Sequence, residues 1–452
     1  MKSVEEKFGW KLAREKTPYF VPPIELTERE DEILSQLLQL LLREPSRGLH
    51  SLLRALCEEK NIILEKASGE KIIGIAKNCV EGLGVLDFLL ADDELEEISV
   101  IGVGKPVFVF HRKKGWLETN AFFTSEEHAV NAVNKIARPL GRRVTLKNPR
   151  LNAVLPDGSR LHASIPPVCL DGVELSIRKF LRNPLNAREL ADFGTVSVDA
   201  LAFLWTVLYG DVSLCIAGNT GSGKTTTLNA LFSFVPLNER IIVAEETPEL
   251  FLLQKHVVKM IASEDAGASL KDLVRDTLRM RPDRVVVGEV RSKAEAEGLL
   301  DSLLAGQAKG SFFTFHSKSS LDVMSRLKAF GVDEGDLDAV DLVLVQKRIS
   351  FFDLKAKKAR EMRKVTEIAE VKNSKPRFLF SLDASGVLNE CKGLKCSAVA
   401  EKTLQNYGFS LREFWREVAR RKSFLKKTRF AGFKDFTLKA QEFAFGLGAE
   451  WL

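Results

Sequence analysis

The chain has 452 residues, 45% hydrophobic and 28% charged, the balance of an ordinary globular protein with room for two or three cored domains. No uninterrupted apolar run approaches the roughly 18 to 20 residues that span a bilayer, and the opening Met1-Lys2-Ser3-Val4-Glu5-Glu6-Lys7 lacks a signal-peptide core, so a cytosolic protein is expected. The net charge of +6 is uneven: residues 355–452 carry 22 Lys+Arg against 11 Asp+Glu, which leaves the rest of the chain net acidic.

In chain order, Thr27-Glu28-Arg29-Glu30 is a capping box that predicts a helix with Leu34, Leu37, Leu38 and Leu41 on one face. A helical module over residues 1–90 is expected. An α+β domain over 91–182 follows. In it, Glu97 to Phe110 reads as strand, turn and strand, and Ser125 opens a helix to Ala137 with Ala129, Val133 and Ile136 on its apolar side. Leu155-Pro156-Asp157-Gly158-Ser159-Arg160 is a turn between strand-like runs, and Leu175 to Phe180 is a further strand. Asn183-Pro184 and the polar stretch behind it read as a linker, 183–194. From 195 to about 350, strand-like and helical runs alternate as in a parallel sheet covered on both faces. That domain is taken to end near 370, and 371–452 is read as a basic C-terminal extension whose charge is either a solvated helical surface or a docking face for an acidic partner or an anionic membrane. The six cysteines are scattered. Cys391 and Cys396, the closest pair, have no second pair beside them, which argues against a zinc site or a disulfide framework.

The parallel-sheet region carries Gly218-Asn219-Thr220-Gly221-Ser222-Gly223-Lys224-Thr225, a match at every fixed position to the phosphate loop G-x-x-x-x-G-K-[ST]. Val212 to Ala217 reads as a buried strand before it, and Thr226 to Phe232 as a helix after it. Glycines let backbone N–H groups close around a phosphate and the helix N-terminus adds its positive end. Lys224 can bridge β- and γ-phosphates, and Thr225 can ligate Mg²⁺. Three more strand-like runs end in chemistry-bearing residues: Arg240 to Ala244 before Glu245-Glu246-Thr247-Pro248-Glu249, Val285 to Gly288 before Glu289-Val290-Arg291, and Ser311 to Phe315 before His316. An α/β fold places its ligand at such ends.

Together these segments resemble the Walker A, Asp-box, Walker B and His-box motifs of the secretion ATPase superfamily, the hexameric motors of type II and type IV secretion, type IV pili and archaeal surface filaments. Gly141-Arg142-Arg143, Leu155 to Arg160 and Ser176-Ile177-Arg178-Lys179-Phe180 resemble the N-terminal-domain signature of its tight-adherence-pilus and archaeal branches. The resemblance covers roughly residues 90–370. It implies an α/β fold, a RecA-like P-loop NTPase domain with a parallel sheet behind a small α+β domain. It also implies a cofactor site of Gly218, Asn219, Thr220, Gly221, Ser222, Gly223, Lys224, Thr225 and Thr226. Thr225 matches a Mg²⁺ ligand, Glu289 the Walker B glutamate beside it, Glu245 the Asp-box glutamate expected to polarise water, and His316 the histidine that senses the γ-phosphate; the division of metal and water roles between the two carboxylates stays open at this point. Arg142, Arg160 and Arg178 match arginines that the N-terminal domain supplies at a domain or subunit junction, where a guanidinium can stabilise charge on the γ-oxygens. Two positions depart from the pattern: Gln307 stands where the His box commonly begins with histidine, and Glu246 stands where aspartate is more usual. Both leave the phosphate, metal and catalytic groups in place.

The function implied is a Mg²⁺-dependent ATPase that assembles as a homo-hexamer and passes domain movement to an integral membrane platform protein, to move a pilin-like or filament subunit. Peripheral contact with the cytoplasmic membrane face fits that role. No Asn-Lys-x-Asp sequence is present, which favours ATP over GTP. A RecA-like nucleic-acid translocase is one alternative, motivated by net basicity, although nucleic acid is not the expected partner. A nucleotide-binding scaffold without turnover is the other.

Overall fold

In the computed structural model, which describes residues 9–13, 17–80, 82–180, 183–263, 266–306, 308–353 and 358–446, the chain divides into two units that part at Phe180. The first begins with β1 (Trp10–Leu12) and three helices, α1 (Glu28–Arg43), α2 (Leu49–Glu59) and α3 (Lys66–Val80). Leu34 and Leu37 of α1 pack with Leu52, Leu53, Leu56, Ile72 and Ala76 of its neighbours into a core of their own. Then come α4 (Val85–Ala91), β2 (Leu95–Ile101), β3 (Pro106–His111), β4 (Gly115–Phe123), α5 (Glu126–Ala137), β5 (Arg150–Val154), β6 (Arg160–Ser164) and β7 (Glu174–Arg178). The strands form one antiparallel sheet in the order β1-β4-β3-β2-β7-β6-β5. The first ninety residues are therefore not helical throughout, because β1 is an edge strand of that sheet and α4 packs into its core.

The Thr27 capping box is present. Thr27 Oγ1 accepts from the Glu30 N–H, and Glu30 accepts from the Thr27 N–H at 3.0 Å. That backbone bond, then the Ser68 hydroxyl and Lys71 at 3.2 Å, hold the Glu30 carboxyl at about 2 against an ordinary 4.5. A depressed folded-state value means the stabilisation is present above about 4.5 and is lost as pH falls toward 2. Amide exchange in α1, corrected for intrinsic rates, should lose protection through this window in the wild type and vary less in Glu30→Gln. Parallel profiles would show that the box contributes nothing pH-dependent.

The second unit is a three-layer α/β/α sandwich. Its elements are α6 (Ala187–Asp192), α7 (Val198–Val207), β8 (Leu214–Gly218), α8 (Lys224–Phe232), β9 (Ile241–Glu245), β10 (Val257–Ile261), α9 (Leu270–Thr277), β11 (Arg284–Val290), α10 (Lys293–Leu304), β12 (Ser311–Phe315), α11 (Ser320–Ala329), β13 (Leu342–Asp353), β14 (Lys358–Lys372), β15 (Lys375–Leu382), β16 (Leu388–Glu390), α12 (Ala398–Tyr407), α13 (Leu411–Lys427) and α14 (Phe433–Phe445). The sheet order is β10-β9-β11-β12-β8-β13-β14-β15-β16, parallel from β10 to β13 and antiparallel beyond. Every residue of β8, β9 and β12 is buried, as continuous apolar strands covered on both faces must be. Leu214 and Ile216 face the layer of α7, α8 and the C-terminal helices. Cys215 and Ala217, one residue out of phase, face α9, α10 and α11.

Two expected boundaries move. The stretch 183–194 holds α6, opened by a capping box of Asn186 and Glu189, and its Ala187 and Leu190 lie in the main core. A boundary at 370 falls within β14, and the sheet continues through β16. The last three helices cover this unit rather than extending from it. Phe414, Leu425, Phe436 and Ala440 are buried in its core, and Trp205 of α7 stacks on Phe234 and meets Phe424 edge-on. Part of the basic composition is itself interior: Arg421 is 4% exposed, with its guanidinium 4.6 Å from the Tyr209 ring and 3.1 Å from Glu417. The Gln441 amide donates to the Ser233 and Val235 carbonyls at 2.8 and 3.0 Å, which ties α14 to the turn after α8.

Candidate active site

Parallel strands deliver their C-terminal ends to one edge, and the order β9-β11-β12-β8 brings Glu245, Glu289, His316 and Gly218 there side by side. The loop after β8 has the backbone its glycines permit. A Cβ on Gly218 would lie 2.0 Å from the Gln346 carbonyl oxygen of β13, and Gly223 caps α8 at φ 92°. No side chain caps α8, so its first N–H groups are left to the loop, a position suited to an anion. Thr227 anchors the helix sideways through a 2.6 Å bond to Gln346 Oε1.

Lys224 is 8% exposed and its ammonium sits 3.3 Å from the Gly218 carbonyl and 3.6 Å from Glu289 Oε1. The same Glu289 oxygen is 2.8 Å from His316 Nε2, and the other accepts from Arg291 Nε at 2.6 Å. Glu289 is thus ringed by three cationic or donor groups. Burial pushes the Lys224 ammonium below its ordinary value, with Glu289 pulling the other way. Burial first, then the Lys224 charge, pushes the His316 imidazole down as well. With a proton on Nε2 the ring donates to Glu289, and Nδ1 of the neutral form is then an acceptor.

Glu245 is 2% exposed and accepts from the Glu249 N–H at 3.1 Å. Gly288 makes room for it: a Cβ there would stand 3.0 Å from Glu245 Cγ. Glu249, to which the motifs assign no separate role, accepts from Thr225 Oγ1 at 2.5 Å. Its signal is the spacing of one turn after Glu245, which returns the chain to the loop. Arg291 is the other unassigned participant, joining Glu289 to the exposed Glu246. That pairing gives Glu246 an electrostatic partner without bringing it to Lys224. Gln307 lies outside the described residues. Asn219 bonds the Arg348 backbone, its Oδ1 accepting at 3.0 Å, while Thr220, Gly221, Ser222 and Thr226 complete the loop and the first turn of α8.

The three arginines from upstream belong to the first unit. Arg160 and Arg178 stand opposite each other on β6 and β7, and Arg178 also faces Glu97 of β2, an arrangement that offsets the like charges. Arg142 donates to the Asn152 carbonyl.

A family model described as "Type II/IV secretion system protein" matches residues 110–398, well over half of the chain. The chain belongs to this family. Among its relatives, an uncharacterized protein of Methanocaldococcus jannaschii is 44% identical over 235 residues, half of this chain but 32% of that protein. A second from the same organism is 31% identical over 386 residues, 82% of this chain and 68% of the relative. The type IV secretion system protein VirB11 of Bartonella quintana is 31% identical over 298 residues, 56% of this chain and 83% of VirB11. The chain thus spans about a third of the first relative and more of the others. Among solved structures, the Legionella pneumophila ATPase DotB aligns over 81% of this chain and 93% of its own at 17% identity, with a TM-score of 0.47. In the second unit itself, β12 separates the Glu289 strand from the phosphate-loop strand. Among the described residues, no helix is long and apolar enough to cross a membrane.

Proposed function

We propose that this family member is a Mg²⁺-dependent ATPase that works as a hexameric ring beside a membrane machine and drives secretion or assembly of pilus-like filaments. The observation that carries the reading is the convergence of the phosphate loop with Glu245, Glu289 and His316 at one sheet edge, with Glu289 touching both Lys224 and His316. Lys224 would meet the β- and γ-phosphates, and the free N–H groups at the start of α8 would bind their oxygens. Thr225 and Glu289 would hold Mg²⁺, which when bound neutralises phosphate charge. An oxygen donor set of hydroxyl and carboxylates suits that hard ion, and the Thr225–Glu249 bond keeps a second carboxylate beside it. Glu245, buried and oriented by the Glu249 N–H, would accept the proton of the attacking water. His316 would exchange its bond to Glu289 for one to the γ-phosphate, so that phosphate loss is felt at β12.

Arg142, Arg160 and Arg178 would supply the remaining positive charge from the α+β domain, at a domain or subunit junction. An arginine on a moving domain gives γ-phosphate a different contact in closed and open states, and only such a difference can drive motion. The platform partner would take up that motion. The membrane-facing surface would be the outer face of α13, where Arg412, Arg416, Arg420, Lys426 and Lys427 are exposed.

Phosphate release combined with sizing in ATP and Mg²⁺ tests the reading. Turnover with a nucleotide-favoured hexamer is expected. Arg160→Ala and Arg178→Ala should lower turnover by about tenfold or more while ATP binding falls less. Mixing either variant with Lys224→Ala protein should restore part of the activity for an arginine acting on a neighbour's site. A protein that stays monomeric at micromolar concentration yet hydrolyses at full rate sinks the ring motor.

A further inference from the structure

The loop between β8 and α8 is held from behind by a segment more than a hundred residues away. β13 pairs with β8 only from Leu342 to Gln346, the last rung joining Gln346 to Gly218. Beyond that rung the strand runs on beside the phosphate loop as one arm of the β13–β14 hairpin. Three contacts follow. The Arg348 backbone N–H donates to Asn219 Oδ1 at 3.0 Å, and Asn219 Nδ2 returns a 3.5 Å bond to the Arg348 carbonyl. Arg363, the cross-strand neighbour of Arg348, donates from Nε to the Gly221 carbonyl at 3.0 Å. The glycines leave space for both arginines: a Cβ on Gly221 would lie 3.2 Å from an Arg348 guanidinium nitrogen, and one on Gly223 would lie 3.5 Å from Arg363 Cδ.

We infer that Arg363 is a positioning residue for the phosphate loop, acting within its own chain, so that the β13–β14 hairpin is a built part of the nucleotide site. This rests on the nucleotide-binding reading above and assigns it a residue from outside the motifs. The physical reason lies in the peptide plane. In a trans peptide, C=O and the following N–H point in opposite directions, so fixing the Gly221 carbonyl on the hairpin side limits how the loop's amides can turn. A loop ordered before the anion arrives spends less of the phosphate contact energy on its own ordering. Side-chain charge is managed in the same place. Glu361 takes Arg348 with two bonds, Nε to Oε2 at 2.9 Å, so the two guanidiniums on facing rungs do not simply repel. Arg363 is then free to spend its Nε–H on the loop.

Fluorescence titration with mant-ADP, which needs no hydrolysis, tests this on the 452-residue chain. Arg363→Ala should weaken mant-ADP binding by about tenfold, the scale of one hydrogen bond from a charged donor. Arg363→Lys, which keeps a cationic donor, should recover most of the affinity. At saturating ATP, kcat should fall less than the affinity does, and the melting temperature without nucleotide should stay near the wild type's. Wild-type affinity in Arg363→Ala overturns the inference, as does a loss that appears in kcat alone. If alanine unfolds the hairpin, Arg363→Met, which keeps an apolar stem without a donor, replaces it, and wild-type affinity in that variant would likewise overturn the inference. Wild-type protein that binds no mant-ADP would instead overturn the nucleotide reading, and this inference with it.

Discussion

Lys224→Ala is expected to remove ATP hydrolysis while leaving the fold and most of the assembly intact. The ammonium it deletes lies 3.3 Å from the Gly218 carbonyl and 3.6 Å from Glu289, at the mouth of the loop rather than in either apolar layer of the sheet. Lys224 belongs to neither apolar cluster of the sheet, so the melting curve should move little. The charge nearest the transferring phosphate disappears, and a transition-state charge partner of this kind is worth on the order of 10² or more in rate. A variant that keeps more than about a tenth of wild-type turnover would mean that Lys224 is not the phosphate lysine.

Glu245→Gln and Glu289→Gln should each bind ATP and hydrolyse it slowly, by about 10² or more, for different reasons. Glu289 is the hub of the site, and its amide analogue would have to present an NH₂ to Lys224, His316 or Arg291, none of which gains from facing a donor. Loss of its anionic oxygen should also raise the Mg²⁺ concentration needed for half-maximal turnover. Glu245 is buried and accepts from the Glu249 N–H. Its glutamine should keep the Glu249 N–H contact through the amide oxygen and lose only the capacity to take a proton. Single-turnover hydrolysis with Mg²⁺ titration separates them. Normal turnover in either variant removes the role assigned to that residue, and an unchanged Mg²⁺ requirement in Glu289→Gln removes its place as a metal ligand.

The sequence by itself determined what is contiguous. The phosphate loop is eight consecutive residues whose glycines, lysine and threonine act at fixed covalent spacing, and the other site residues each end an apolar run that can only be a buried strand. Thr27, Ser125 and the turn before Arg160 were legible for the same reason, because caps and turns are settled within a few residues. Tertiary structure decided what depends on register and on surfaces meeting. Nothing local says that Glu289 faces Lys224 and His316 together, since that follows from β12 lying between β11 and β8. Nor does spacing place Arg291 against Glu246 or Arg363 against Gly221. The last eighty residues mislead most: their Lys and Arg suggest a solvated extension, yet Phe414, Arg421, Leu425 and Phe436 pack inward and close one layer of the sandwich. Charge is counted by composition, whereas burial depends on which face of a helix finds a partner, and here the partner, Trp205 with its neighbours on α7, lies some two hundred residues earlier in the chain.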